Sequence, residues 1–96
     1  AIRVIVKIRA AKGKGEEVAA STGANLATIR QEDGCEEYAL FRSVEDGDEF
    51  VMVERWATQN ALDAHLAIAR ARQAESPTPT MTLRIGTPVM ETFEIT

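Results

Sequence analysis

One cysteine, one histidine, one tryptophan and one tyrosine are all that this chain of 96 residues holds of those four types. The lone Cys35 excludes an internal disulfide and any multi-cysteine metal site. The lone His65 has no second His or Cys with which to share a metal, so no metal is expected. Basic residues are scattered and the net charge is −4. No basic patch is interleaved with aromatics, which argues against a nucleic-acid partner. No apolar run approaches the ~20 residues that cross a bilayer, so no membrane partner is expected. Arg3, Lys7 and Arg9 interrupt the apolar residues of the N-terminal stretch, which therefore lacks a signal-peptide pattern. The expected location is a reducing cytoplasm.

The common catalytic fingerprints are missing as well. There is no Walker loop, no G-x-G-x-x-G, no H-E-x-x-H and no serine nucleophile elbow. Gly13–Lys14–Gly15 is too short for a phosphate loop. Cys35 has no base close to it in sequence, which makes it a small apolar filler rather than a nucleophile.

What is present describes a small folded domain. The chain is 45% hydrophobic and 27% charged, within the range of globular proteins, and residues 1–96 read as a single domain. The first ten residues alternate, with Ile2, Val4, Val6 and Ile8 on one face of a strand. From Glu16 to about Asp33 the spacing turns helical through Val18, Thr22, Leu26 and Ile29. Gly23 sits inside that helix, where it costs about 1 kcal/mol relative to Ala. Gly34 is placed for a left-handed stop.

Residues 35–43 form a second strand, with Tyr38, Leu40 and Arg42 on one face. An Asp-Gly turn leads to a return strand over residues 50–56. Phe50, Met52 and Trp56 share one face of it, and Val51 and Val53 the other. Arg55 has the opposite parity to Trp56 and is expected in solvent or in an ion pair across a dimer, with Glu37 or Glu54. Thr58 or Asn60 caps a second helix from about Gln59 to Gln73. After a connection rich in Pro and Thr, with a short strand expected over Met81 to Ile85, residues 89–95 close the chain as a strand.

The order β-α-β-β-α-β predicts a ferredoxin-like α+β fold with a four-stranded antiparallel sheet and both helices on one face. The other face keeps apolar side chains, and an identical sheet is the simplest cover. A homodimer packed sheet to sheet is therefore expected.

On the second helix, Leu62, His65, Leu66 and Ala69 form one stripe, which turns His65 toward the sheet. A lone His on an apolar face is either a core residue satisfied by a carbonyl or water, or a base in a pocket. Imidazole titrates near neutral pH, which suits it to the second role. Trp56 is either a core or interface aromatic or the flat wall of a pocket for a ring. Tyr38 either fills the core or donates a hydrogen bond to a substrate oxygen.

Residues Gly34 to Leu66 carry a resemblance. Gly34–Cys35, Tyr38, Arg42–Ser43, the acidic hairpin, Val53–Glu54–Arg55–Trp56 and then Ala61–Leu62 with His65–Leu66 resemble the core of the antibiotic biosynthesis monooxygenase (ABM) family. The resemblance implies a dimeric α+β barrel with a pocket between helices and sheet in each protomer. Relatives include oxygenases of quinols and aromatic polyketides that use neither metal nor flavin, haem-degrading oxygenases, and proteins that process a small signalling molecule. The haem branch needs an axial His near the end of the second helix, where this chain reads ARARQAE, so haem is not expected.

The expectation is a small cofactor-independent monooxygenase of a quinol or polycyclic phenol, a small aromatic substrate. His65 is then the base, Trp56 and Tyr38 bind substrate, and no cofactor is called for. The alternatives are a non-catalytic dimeric binding or stress-response module, or an isomerase or lyase on a small oxygenated metabolite.

Overall fold

The computed structural model describes residues 1–77 and 82–95. Its elements are β1 (Ile2–Arg9), α1 (Gly15–Gly23), α2 (Leu26–Arg30), β2 (Cys35–Arg42), β3 (Glu49–Trp56), α3 (Gln59–Glu75) and β4 (Val89–Glu94). The strands form one sheet in the order β2-β3-β1-β4, and every neighbouring pair is antiparallel. This is the expected four-stranded α+β ferredoxin-like arrangement.

Side-chain parity sets what each face does. On β1, Val4 pairs with Glu54 of β3 and Val6 with Met52. Across β2 and β3, Tyr38 pairs with Glu54 and Leu40 with Met52. These residues therefore share the helix-covered face. The buried apolar residues fall into two groups on it. Ile2, Val4, Trp56 and Leu62 form one, with Ile29, Tyr38 and Leu66 packed against them. Ala10, Val18 and Phe50 form the other, with Leu40 and Leu83 against them. Val6 and Met52 lie between the two groups on the sheet.

The first helical stretch is not continuous. It breaks after Gly23, where Asn25 N–H turns back to the Thr22 carbonyl at 3.1 Å and the Asn25 carbonyl starts the next helix by accepting from Ile29 N–H at 3.1 Å. Glycine lacks the side chain that would favour helix there, and the turn redirects the chain before α2. α2 leads into a tight turn, with Cys35 N–H on the Glu32 carbonyl at 3.1 Å. Gly34 has φ of 80°, the left-handed region that L side chains avoid. A Cβ there would also lie 2.5 Å from the Ala61 Cβ. Gly34 thus permits both the turn and the close approach of α3, and its carbonyl accepts from Ala57 N–H at 2.8 Å.

Of the two candidate caps for α3, Thr58 takes the role: its Oγ1 accepts from Ala61 N–H at 3.1 Å. The expected strand at Met81–Ile85 lies partly outside the described residues at Met81. Within them, Arg84 makes a single antiparallel bridge to Ala10. Within the chain Arg55 bonds Glu36 at 2.9 Å. A bulge between Cys35 and Glu37 resets the register of β2. Glu37 is taken by Arg3, and Glu54 has the opposite strand parity to Arg55.

Candidate functional site

The end of β3 and the middle of α3 meet over the first core group. Trp56 is fully buried, and its Nε1–H donates to Glu54 Oε1 at 2.9 Å. The two residues are i and i+2 on one strand, so the pleat puts them on the same face. His65 comes down from α3 and stacks on the indole, with ring centroids 4.6 Å apart and planes at 27°. Tyr38 closes the other side, its ring 5.5 Å from the imidazole in an edge arrangement. Arg30 Nε donates to the Tyr38 carbonyl at 2.9 Å, which ties β2 to the end of α2.

The partner of His65 comes from the turn after α2. Its Nδ1 lies 2.9 Å from Glu32 Oε1. Both side chains are largely buried, at 7% and 12% exposure. A carboxylate accepts hydrogen bonds, so when the ring is neutral the contact selects the tautomer with N–H on Nδ1 and the lone pair on Nε2. No described residue bonds Nε2. The second oxygen of Glu32, Oε2, is buried without a hydrogen-bond partner among the described residues.

Burial of these groups displaces several titrations. Burial pushes the Glu54 carboxyl up; the Trp56 bond and the electrostatic influence of His65 pull it back, and Glu32 adds to the rise. Burial, then the charges of Glu54 and Glu32, push the Tyr38 phenol well above its ordinary value. Tyr38 is therefore a donor at neutral pH, not a phenolate. Burial and the Glu32 charge also push the Cys35 thiol up, which removes it as a thiolate nucleophile.

Beside this cluster lies a cavity of about 310 Å³. Val6 and Met52 floor it, Ile29 and Tyr38 flank it, and Glu32 and His65 put polar groups on its wall. Its size and mixed lining suit a small ligand. The sequence-predicted residues thus come together, but not all at the surface of the cavity. His65 and Tyr38 line it, whereas the indole of Trp56 is sealed behind the imidazole. Among the described residues, no group of three or more His, Cys, Asp or Glu is arranged to hold a metal.

Two site residues escaped the sequence reading. Glu54 had a usable signal: it is the one acid at the inward parity of β3, between Met52 and Trp56. Glu32 had none, because it sits in a turn with no periodicity and 33 positions from His65.

The fold and the site define a ferredoxin-like domain whose helices cover one sheet face over a cavity walled by an imidazole. The chain belongs to the antibiotic biosynthesis monooxygenase family, whose model matches residues 1–75. Solved structures agree on the fold. A Deinococcus radiodurans protein is 19% identical at a TM-score of 0.83, covering 100% of this chain and 93% of that one. A conserved protein of unknown function from Bacteroides thetaiotaomicron is 26% identical at 0.80, covering 98% and 96%. Rv0793 of Mycobacterium tuberculosis is 25% identical at 0.74, covering 99% and 94%. No curated protein matches the chain. No helix among the described residues is long and apolar enough to cross a membrane.

Proposed function

We propose that this single-domain protein is a cofactor-independent monooxygenase of a quinol or polycyclic phenol, with His65 as the base. The observation that carries this reading is the 2.9 Å contact between Glu32 and His65 Nδ1 on the wall of the cavity. With the N–H on Nδ1 the lone pair falls on Nε2, and a base must present that lone pair to the proton it takes. Membership of the family supports the reaction class.

In this reading Nε2 accepts a phenolic proton from a hydroquinone. The resulting quinolate passes one electron to molecular oxygen, and the radical pair joins at a ring carbon as a peroxide. That carbon then loses its proton while the O–O bond breaks. One oxygen stays on the ring and the other leaves as water, carrying the proton from that carbon and the proton held by His65. The sum is hydroquinone plus O₂ to hydroxyquinone plus water, with no outside reductant. Tyr38, held protonated, donates to a ring oxygen. Trp56 acts through His65 by holding the imidazole plane. The apolar floor of Val6 and Met52 keeps water from the reactive intermediates.

The test is incubation with 1,4-naphthohydroquinone under ¹⁸O₂. The expected product is the hydroxynaphthoquinone with one labelled oxygen, lost in His65→Ala. Formation of unlabelled naphthoquinone alone, at a rate the variant shares, overturns the reading.

The working unit in this proposal is a homodimer, packed through the sheet face that the helices leave bare. Phe41 and Phe93 are 57% and 48% exposed on it, beside the half-buried Ile5, Val51 and Val53. Single apolar residues are ordinary on a surface, but a contiguous set of this kind marks an interface. The proposed location is a reducing cytoplasm, consistent with a single free thiol.

A further inference from the structure

We propose that the ligand of the cavity carries an anionic group at the end remote from its hydroxyl, and that Arg72 and Arg84 hold it. The inference rests on the reading of the cavity as an aromatic pocket and adds the substrate's charge and orientation.

The cavity is electrically two-ended. At one end are Glu32 and His65, with the Glu54 carboxyl behind them. Arg72 and Arg84 also line the cavity, and Arg84 bridges to Ala10, six residues along the chain from Val4, the β-partner of Glu54. Arg72 belongs to the same α3 stripe as His65: the lining positions are His65, Ala69, Arg72 and Gln73, the i, i+4, i+7, i+8 pattern of one helix face. At 1.5 Å rise per residue, seven residues separate the two Cα atoms by about 10.5 Å along the axis, room for a bicyclic ring between the side chains.

Arg84 reaches the cavity from a different part of the chain, and its backbone is pinned. Ala11 N–H donates to the Leu83 carbonyl at 2.6 Å and Ile85 N–H to the Arg9 carbonyl at 2.7 Å. Leu83 packs on the second core group. The half-buried Arg84 side chain is thus carried on an anchored segment.

Four other arginines have carboxylate partners among the described residues, while Arg30 bonds the Tyr38 carbonyl and Arg70, outside the cavity lining, has none. Arg3 holds Glu37, Arg9 holds Asp46 and Glu49, Arg42 holds Glu16, and Arg55 holds Glu36. Neither Arg72 nor Arg84 has a carboxylate partner among the described residues, in a chain with net charge −4. A basic residue in the last turn complements the helix dipole, which accounts for Arg72 alone. It does not account for a second unpaired guanidinium, from another segment, on the same cavity. A planar guanidinium offers paired donors to a carboxylate, sulfonate or phosphate. The acid end repels such a group, so one pose is favoured: anion at the arginines, hydroxyl at Nε2.

The test compares 6-hydroxy-2-naphthoate with 2-naphthol, the same ring with and without the carboxylate, by titration calorimetry. A charge-assisted contact predicts that the naphthoate binds about tenfold or more tightly. The ratio of the two affinities should fall toward one in the Arg72→Gln/Arg84→Gln double variant, with its circular dichroism unchanged, and should shrink in high salt. Equal binding of the two probes by the native protein, or a ratio kept in the double variant, overturns the anionic end while leaving the aromatic pocket standing. Binding of neither probe overturns both.

Discussion

Glu32 and His65 stand 33 positions apart in the chain, yet their side chains meet at 2.9 Å through Oε1 and Nδ1. A buried carboxylate beside Nδ1 does two things to an imidazole. It fixes the tautomer, and it stabilises the positive charge that forms when Nε2 takes a proton. In the proposed reaction, this contact is what makes a core histidine a directed base.

The first prediction concerns this pair. Glu32→Gln keeps the volume but removes the charge, and its amide can also donate to Nδ1 and turn the lone pair the wrong way. In the proposed reaction kcat falls while KM changes little. The loss is bounded by the roughly 10²–10⁴-fold that a positioned base supplies. Glu32→Asp should recover part of it, because the charge is restored at a shorter reach. Steady-state oxygen uptake on 1,4-naphthohydroquinone checks it, and a kcat unchanged in Glu32→Gln sinks the directed-base argument.

The contact also shows where sequence patterning reaches and where it stops. Alternation in β1 marked its buried face, and in β3 it sorted Phe50, Met52 and Trp56 from Val51 and Val53, because a period of two survives any placement of the sheet. The stripe of Leu62, His65 and Leu66 did the same for α3. Helical spacing through Val18, Thr22, Leu26 and Ile29 hid the break after Gly23, since a short turn that nearly preserves the phase leaves the apolar pattern intact. Glu32 was invisible for a related reason. Its direction depends on the left-handed backbone of Gly34 and on how closely Ala61 approaches, and neither is written in local periodicity. Arg84 lies in the connection rich in Pro and Thr, and only its pairing across to β1 brings it to the cavity.

The second prediction follows from the Glu54 carboxyl, which burial pushes above its ordinary value of 4.5. The folded state then holds a proton that the unfolded state has released. Stability from this group is fully present below the unfolded value and falls as pH rises through the folded one. Glu54→Gln removes the titration but keeps an acceptor for Trp56 Nε1–H. Urea midpoints measured across pH should show the native protein losing ground to the variant as pH rises from about 4.5 toward neutrality. Parallel curves over that window count against a buried, proton-retaining Glu54.

The third prediction places the turn at Gly34 under the site. Gly34→Ala puts a methyl group where φ is 80° and 2.5 Å from the Ala61 Cβ. Left-handed backbone costs an L residue about 1–2 kcal/mol, and the clash adds about 1–3 kcal/mol. The variant should melt measurably lower. Because the turn also carries Glu32, its activity should fall by more than the folded fraction accounts for. A melting temperature equal to that of the native protein contradicts both parts.

The fourth prediction addresses the bare sheet face. Phe41 on β2 and Phe93 on β4 lie at opposite edges of the sheet order, on the face away from the helices, with Val51 and Val53 between them. If a second copy covers this face, a charge at its centre must be buried unpaired on association, which costs several kcal/mol. Val53→Glu should therefore convert a dimer to monomer at micromolar concentration in sedimentation equilibrium. Val53 points away from the cavity, so the variant separates the two questions: its monomer should still bind 2-naphthol if the pocket is complete within one protomer, and lose it if the partner closes the mouth. A native protein that sediments as a monomer at the same concentration removes the sheet-to-sheet dimer from the proposal.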